Sequence, residues 1–380
     1  MILPPSTLAM LGGGQLGRFF VAAAHEMGYE VWVLDPDAES PAGRIADRHL
    51  VAPYDDQEAL FEIAAHSAAV TTEFENVPAE TLEFLAARIP VCPSASAVAI
   101  CQNRIAEKSF LREHGFPHGE FAIVRSEADL GAVDSSLFPA ILKVARFGYD
   151  GKGQAHVSNR EEALAAYQSF KGEAAVLEKK LRLDCEISVV LARDAKGNEQ
   201  SFPLAENQHT NGILDVSMVP ARVSTALGEE AKLIAERIAA KLGYVGVLAV
   251  EFFVSEGQLF VNEMAPRPHN SGHYTLDACT VSQYEQQVRA MCGLPLHEPY
   301  AHSASVMVNL LGDVWFAKDG SEREPDWKEL FAVPNLALHL YGKRHARVGR
   351  KMGHFTVVGN DLDEVLPAAL AARSSIGIVA

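Results

Sequence analysis

Short apolar runs alternate with amphipathic stretches from the start of the chain. Residues 6–11 read as a buried strand, 15–27 as a helix stopped by Gly28, and 29–34 as a second strand ending at Asp35. The alternation continues through a strand at 49–52, a helix at 57–66, a strand at 69–74, a helix at 79–87 and a strand at 89–92. Strand and helix in regular succession predict a parallel sheet covered on both faces. Residues 1–95 are therefore expected to form one small doubly wound domain.

The pattern then changes. A helix over 96–114 leads through Gly115-Phe116-Pro117, a boundary signal, into a mixed region with strands at 121–124, 138–144, 176–178 and 186–192 and a helix at 161–170. Residues 225–242 form an amphipathic helix, with Leu227, Ala231, Ile234, Ile238 and Leu242 on one stripe and Gly243 as its stop. A helix over 276–291 and the break Gly293-Leu294-Pro295 close a middle region, 96–300. The tail, 301–380, holds strands at 305–311 and 336–341, a basic turn, and a last helix at 363–372. A chain of 380 residues suits two or three such units, because single cores rarely exceed ~250 to 300 residues.

Composition narrows the class. Hydrophobic residues make up 48% and charged residues 22%, as in an ordinary globular enzyme. The net charge of −16 opposes nucleic acid and anionic membrane surfaces, so an anionic substrate has to meet a local basic cluster. The five cysteines, Cys92, Cys101, Cys185, Cys279 and Cys292, form no Cys-x-x-Cys pair and read as reduced thiols of a cytoplasmic protein without zinc. No signal peptide or membrane-spanning run is expected.

Four stretches carry candidate chemistry. Gly12-Gly13-Gly14-Gln15-Leu16-Gly17, between the first strand and helix, contains Gly-x-Gly-x-x-Gly, with Asp35 ending the next strand. That is the dinucleotide fingerprint and supports a nicotinamide-dependent dehydrogenase. The same turn suits any ligand that approaches a helix N-terminus closely. Glu73, Glu75 and Asn76 lie at a strand end, where open α/β sheets bind ligands, and serve equally as caps of the next turn. The segment from Lys143 to Gln154 packs glycines, lysines, Arg146 and Asp150 after an apolar run. It reads as a flap over phosphates or as a solvated loop between two strands.

The fourth stretch is a carboxylate pair. Glu251 lies inside an apolar run, Glu263 follows Leu259, Phe260 and Val261, and Ser255-Glu256-Gly257 is a turn signal. If Ser255 pairs with Leu259 across a three-residue loop, Glu251 falls opposite Glu263 with the Cβ atoms ~5 Å apart. Two such anions call for a cation, and hard oxygen ligands suit magnesium. The following Met264-Ala265-Pro266-Arg267-Pro268-His269-Asn270-Ser271-Gly272-His273 is rich in turn formers and polar groups, and Arg267 with His269 suits a planar oxyanion such as bicarbonate.

Together these stretches resemble the ATP-grasp enzymes, most closely the 5-(carboxyamino)imidazole ribonucleotide synthase family of purine biosynthesis. The likeness runs over nearly all of the chain, carried by residues 12–18, 148–154, 243–247, 262–273 and 349–354. It implies a doubly wound pre-ATP-grasp domain at 1–95. A two-lobed ATP-grasp domain would follow at 96–300, with a flap lobe at about 118–182, and then a small β-rich C-terminal domain at 301–380. It also implies a ligase that uses ATP, bicarbonate and magnesium (or manganese) to carboxylate the amine of 5-aminoimidazole ribonucleotide through carboxyphosphate, and that works as a homodimer.

Carried over by motif, the resemblance assigns Arg104 and Lys143 to ATP phosphates, covered by Gly148, Tyr149, Asp150, Gly151, Lys152, Gly153 and Gln154. Glu178, Lys179, Lys180 and Leu181 would line the adenine pocket, with Glu186 on the ribose and His209 nearby. Asn262 and Glu263 also belong to the ATP site, and Glu251 and Glu263 would hold magnesium. Tyr149 and Asp150 would meet the second substrate, Asp150 as general base, while Arg267, His269 and Asn270 position bicarbonate. Gln15, Leu16 and Glu73 would line the ribonucleotide cleft. Lys343 and Arg350, from the cluster with Arg344, Arg347 and Lys351, would hold the 5′-phosphate.

Ala265 stands where many ATP-grasp carboxylases have a metal-ligating asparagine, which disfavours a biotin carboxylase-like reading, and Lys152 stands where arginine is common. A glycinamide ribonucleotide formyltransferase-like ligase stays an alternative, as does a non-catalytic nucleotide-binding module. The intact Asp150, Glu251 and Glu263 argue against the module. The dehydrogenase reading explains only the first domain.

Overall fold

The computed structural model describes residues 1–74, 76–146, 148, 153–317 and 319–378. Its N-terminal unit is the expected parallel sheet, in the order Arg48–Leu50, Glu30–Leu34, Thr7–Leu11, Ala69–Thr72. Leu8, Met10, Val31 and Val33 pack to one side under the helix Gln15–Glu26, and Ala9, Leu11, Leu34 and Val70 to the other under Gln57–His66 and Ala79–Ala86. The strand expected at 89–92 shrinks to a single parallel bridge, Val70 to Val91. Pro90 and Pro93 flank it and cannot donate to a ladder.

The helix expected over 96–114 is two helices, Ala95–Cys101 and Arg104–Glu113. The Asn103 side chain accepts hydrogen bonds from the Ile105 and Ala106 N–H groups at 2.9 and 3.3 Å, which starts a fresh helix and turns its axis. In the same way 276–291 divides into Thr275–Ala278 and Gln283–Cys292, because Ser282 caps the second at Glu285. Both breaks coincide with capping residues inside a helical apolar period.

The remainder is organised by one nine-stranded sheet. Its order is Gln258–Ala265, Gly246–Ser255, Cys185–Arg193, Ala205–Thr210, Ile213–Val219, Ala304–Leu311, Lys351–Gly359, Leu336–Leu340, with Glu199–Ser201 added to Cys185–Arg193. The C-terminal strands thus extend the central sheet. A four-stranded antiparallel sheet, Phe121–Val124, Ala175–Lys179, Ala140–Val144 and Gln154–Val157, forms a separate lobe. The architecture is α/β with α+β parts, a small parallel domain followed by a two-lobed centre and a β-rich tail.

The two faces of the large sheet differ in chemistry. One packs Ile187, Val189, Leu248, Val250, Phe252 and, further along, Val306, Val308, Phe355 against the helices Arg104–Glu113, Thr225–Lys241 and Leu362–Ser375. The other carries Glu263, Glu251, Ser188, Glu186, Asn207 and Ser217, and continues to Asn309, His354 and His339, which pair in one row. This polar face explains why Ala205–Thr210, Ile213–Val219 and Lys351–Gly359 escape the hydrophobic pattern. Their alternation sets apolar side chains against groups such as Asn207, Ser217 and His354, which are buried but polar.

The carboxylate hairpin differs in detail from expectation and agrees in outcome. Ser255 pairs with Gln258 across a two-residue turn, Glu256-Gly257, with φ of 51° and 69°, so the expected three-residue loop is wrong. From Val254–Leu259 to Phe252–Val261 the register follows that turn. A bulge at Asn262 then shifts it by one residue and sets Glu251 opposite Glu263. Without the bulge, Glu263 would point to the apolar face beside Val261.

Because Asn103 fixes where the helix Arg104–Glu113 begins, Asn103→Ala should lower stability by about 1 kcal/mol, read by thermal or urea unfolding, while Asn103→Asp should recover most of it.

Candidate active site

Two half-buried carboxylates face each other across the hairpin. The Arg104 Nη1 lies 3.1 Å from Glu263 Oε2, and this guanidinium holds Glu263 below the usual carboxylate range against the cost of burial. Glu251 receives weaker help. Asn262 Nδ2 donates to its Oε2 at 3.3 Å and His269 Nε2 stands 3.4 Å from its Oε1. Burial and the neighbouring Glu263 push Glu251 up to about 7. Burial drives His269 well below its ordinary value, so this imidazole is neutral.

A second charged cluster lies one turn along the same helix. Glu178 sits between two buried lysines, 3.2 Å from Lys108 Nζ and 3.3 Å from Lys143 Nζ. Burial opposes its ionisation, but Lys108, Lys143 and Arg104 outweigh that cost and hold it down at about 2. Lys143 pairs with Gln154 across the hairpin Ala140–Val144/Gln154–Val157, whose connecting loop includes Gly148 and Gly153. The Gly148 carbonyl is 3.5 Å from Arg104 Nη2. Gly153 adopts φ 68° and accepts from the Val144 N–H at 2.9 Å. Tyr149, Asp150, Gly151 and Lys152, with Glu75, lie outside the described residues.

Gly148, between the strands Ala140–Val144 and Gln154–Val157, is therefore placed against Arg104. Of the expected hinge, Lys179 pairs with Glu120 at 2.7 Å and the Lys180 N–H donates to Pro139 O at 2.9 Å, beside Leu181. Glu186 Oε2 lies 3.0 Å from His209 Nδ1 on the adjoining strand, and this carboxylate helps raise the His209 pKa against burial.

The Pro/His loop crosses the polar face. Gln283 clamps its backbone by accepting from His269 N–H and donating to His269 O, each at 2.8 Å. His269 Nδ1 meets Ser271 Oγ at 2.9 Å, and Ser188 Oγ donates to Ser271 Oγ at 2.8 Å, so the ring is fixed to the sheet below. Both amide atoms of Asn270 are buried without a hydrogen-bond partner. A cleft lined by Asn76, Arg104, Gly148, Glu263 and Arg267 joins this loop to the N-terminal domain.

At the glycine turn the protein supplies its own anion. Both oxygens of Glu73 accept backbone N–H groups, Oε1 from Gly14 and Oε2 from Gly17 at 2.7 Å. A Cβ on Gly12 would stand 2.6 Å from Glu73 Cγ, so the glycines are needed for the glutamate to approach. Asp35 is likewise engaged, accepting from Gly13 N–H at 2.7 Å and Tyr54 OH at 2.8 Å. The groups that a dinucleotide would use thus already have partners within the chain, which overturns the dehydrogenase reading of this turn.

Gln15 begins the helix, whereas the Leu16 side chain is buried in the domain core and only its backbone can face the cleft. Burial raises the Glu73 pKa, opposed by the two N–H donors and by the Lys343 and Arg267 charges. Lys343 reaches this junction because the basic turn docks on the first domain, through Arg44 to Gly342 O at 3.1 Å and Arg344 to Glu39. The Lys343 Nζ donates to Lys351 O at 2.7 Å, and Arg350 Nη1 to His345 O at 2.7 Å. Sequence reasoning passed over Glu107 and Lys108, which sit at i+3 and i+4 from Arg104, a spacing that could have revealed them.

A hairpin that carries a buried lysine, a carboxylate pair on an antiparallel sheet and a glycine-turn domain define an ATP-grasp enzyme. The chain matches the ribonucleotide synthetase preATP-grasp domain at residues 6–102, the ATP-grasp domain at 109–284 and the phosphoribosylaminoimidazole carboxylase C-terminal domain at 305–367. It belongs to the N5-carboxyaminoimidazole ribonucleotide synthase family. It is 45% identical to that synthase of Brucella melitensis over 93% of this chain and 96% of the relative. The Staphylococcus aureus N5-carboxyaminoimidazole synthetase complexed with ADP superposes with a TM-score of 0.90 at 34% identity, covering 98% of each chain. The Aspergillus clavatus synthase in complex with ADP and 5-aminoimidazole ribonucleotide gives 0.88 at 29% identity, covering 99% of this chain and 100% of that one.

Two measurements check this site. NADH should show no fluorescence-detected binding under conditions where ATP binds. The depressed Glu178 pKa contributes on the order of 3 kcal/mol of stability that is present above pH 4.5 and lost as pH falls towards 2. Unfolding free energy should therefore fall across that window in the parent protein and slope less in Glu178→Gln.

Proposed function

We propose that the chain carboxylates the amine of 5-aminoimidazole ribonucleotide to N5-carboxyaminoimidazole ribonucleotide, consuming ATP and bicarbonate in purine biosynthesis. The observation that carries this reading is the Glu251–Glu263 pair facing the clamped His269–Asn270 loop. A bicarbonate oxygen attacks the γ-phosphorus of ATP, ADP leaves, and carboxyphosphate forms. The amine nitrogen then bonds to its carboxyl carbon, the carbon–oxygen bond to phosphate breaks, and the amine proton passes to a base.

In this reading Arg104 and Lys143 hold ATP phosphates, aided by the flap residues Gly148 to Gln154. Glu178 to Leu181 line the adenine pocket, with Glu186, His209 and Asn262 close by. Neutral His269 and the unpartnered amide of Asn270 donate to bicarbonate and carboxyphosphate oxygens, and Arg267 offsets their charge. Asp150 takes the amine proton beside Tyr149. The flap closes over the labile intermediate and excludes water. Lys343 and Arg350 take the 5′-phosphate, with Gln15, the Leu16 backbone and Glu73 along the ribose.

The donor set fits a hard divalent cation. Glu251 and Glu263 offer carboxylates side by side, and the Oδ1 of Asn262 is buried without a partner. Glu251 and Glu263 would hold magnesium, or manganese in its place. When bound, that ion offsets charge on the transferring phosphoryl group.

The reading extends to a homodimer in the cytoplasm that engages neither nucleic acid nor membrane. The net charge of −16 opposes nucleic acid and anionic membrane surfaces, and no helix of the described residues is long and apolar enough to cross a membrane. It divides the chain at about residues 95 and 300, where the glycine-turn domain and the C-terminal strands join the centre.

ADP release with ATP, magnesium and bicarbonate should depend strongly on added 5-aminoimidazole ribonucleotide and be nearly abolished in Asp150→Asn. Stimulation by glycinamide ribonucleotide or biotin instead would move the chain to another ligase. Lys343→Met should raise the KM for the ribonucleotide at least tenfold while leaving the KM for ATP within twofold.

A further inference from the structure

Glu263 faces Glu251 only because of the bulge at Asn262, and a bulge frees backbone groups that the strand ladder would otherwise satisfy. Here a single helix satisfies them. Lys108 Nζ donates to the Asn262 carbonyl at 2.9 Å and stands 3.4 Å from that of Val261. On the other side of Glu263, the Met264 N–H donates to Glu107 Oε1 at 2.6 Å. Arg104, one turn earlier, meets the Glu263 carboxylate itself. Three side chains at i, i+3 and i+4 thus hold the residues before, at and after the turned-in glutamate.

Both added groups are costly to bury. Glu107 is 2% exposed and Lys108 is 1% exposed. Apolar residues would pack the helix to this strand more cheaply. What charged residues add is directional bonding to particular backbone atoms. Burial and Glu263 push Glu107 up, to about 7, against the pull of Lys108, Arg104 and the Met264 N–H. In either protonation state it retains an oxygen able to accept from Met264. Lys108 also reaches Glu178 on the strand Ala175–Lys179 of the other lobe. The same ammonium therefore touches the bulge and the strand that carries the expected adenine hinge.

We propose that Glu107 and Lys108 are positioning residues for the metal–nucleotide complex: they hold the Asn262 bulge that turns Glu263 toward Glu251, and Lys108 ties that bulge to Glu178. The inference rests on the reading of Glu251 and Glu263 as magnesium ligands. Neither residue touches a reacting atom; both act through Glu263. Loss of the Met264 bond lets the strand slide towards the register set by its turn, in which Glu263 swings to the apolar face.

The test is manganese binding to the full-length protein in the presence of ADP, read from the electron paramagnetic resonance of free Mn²⁺. Glu107→Leu should weaken Mn²⁺ binding at least tenfold. Glu107→Gln, which keeps an acceptor oxygen, should recover most of that loss, and both should keep the KM for 5-aminoimidazole ribonucleotide within twofold. If Glu107→Leu does not fold, Glu107→Asp, about one methylene too short, carries the same expectation in milder form. Mn²⁺ binding unchanged in these variants but weakened in Glu263→Gln would overturn the proposal and leave the ligand reading standing. Unchanged binding in Glu263→Gln would overturn the ligand reading and the proposal with it. A Gln variant no better than Leu, or a uniform fall in all kinetic constants, would also overturn the positioning role.

Discussion

Two half-buried carboxylates held side by side in a hairpin are the constraint that the rest of this site answers. As a general scale, two unit charges ~5 Å apart at an effective dielectric constant of about 20 repel by about 3 kcal/mol, before any cost of desolvation. Arg104 relieves one of them and Glu251 takes up the remainder through its raised pKa. In the reading of the pair as metal ligands, a divalent ion carried in with nucleotide phosphates would offset the remaining charge.

The large sheet makes such a site possible by dividing labour between its faces. Helices Arg104–Glu113 and Thr225–Lys241 cover an apolar face that stabilises the fold. The Pro/His loop covers a face of buried polar groups satisfied by one another, from Ser188 and Asn207 to Ser217. Buried polar networks fix geometry more sharply than they stabilise, because each misplaced donor is costly. His269 is a case in point. Its backbone is held by Gln283 and its ring by Ser271, so its orientation is set by the chain itself.

The N-terminal domain shows how one motif can serve different chemistry. The glycine turn and helix N-terminus that would bind a pyrophosphate instead bind Glu73, an anion of the chain itself. With that demand met internally, the edge of the sheet is free to form one wall of a cleft. Lys343 and Arg267 bring positive charge to it from the other two parts of the molecule.

Sequence alone carried much of this. Strand and helix alternation marked the doubly wound domain, and turn and stop residues marked the long helix before Gly243. The spacing of Glu251 and Glu263 marked their pairing, because local periodicity and turn chemistry are written in adjacent residues. It did not disclose the strands whose buried faces are polar, such as Ile213–Val219, nor the helix breaks at Asn103 and Ser282, where a cap interrupts an unbroken apolar period. The dinucleotide fingerprint misled as long as Glu73 could not be placed against it. The register of the carboxylate hairpin was reached by the wrong turn, since the loop is one residue shorter than expected and the bulge at Asn262 restores the shift. That bulge is held by Glu107 and Lys108 from a helix far away in sequence. Only the tertiary structure could decide it, because the bonds that select the register join residues that no local pattern connects.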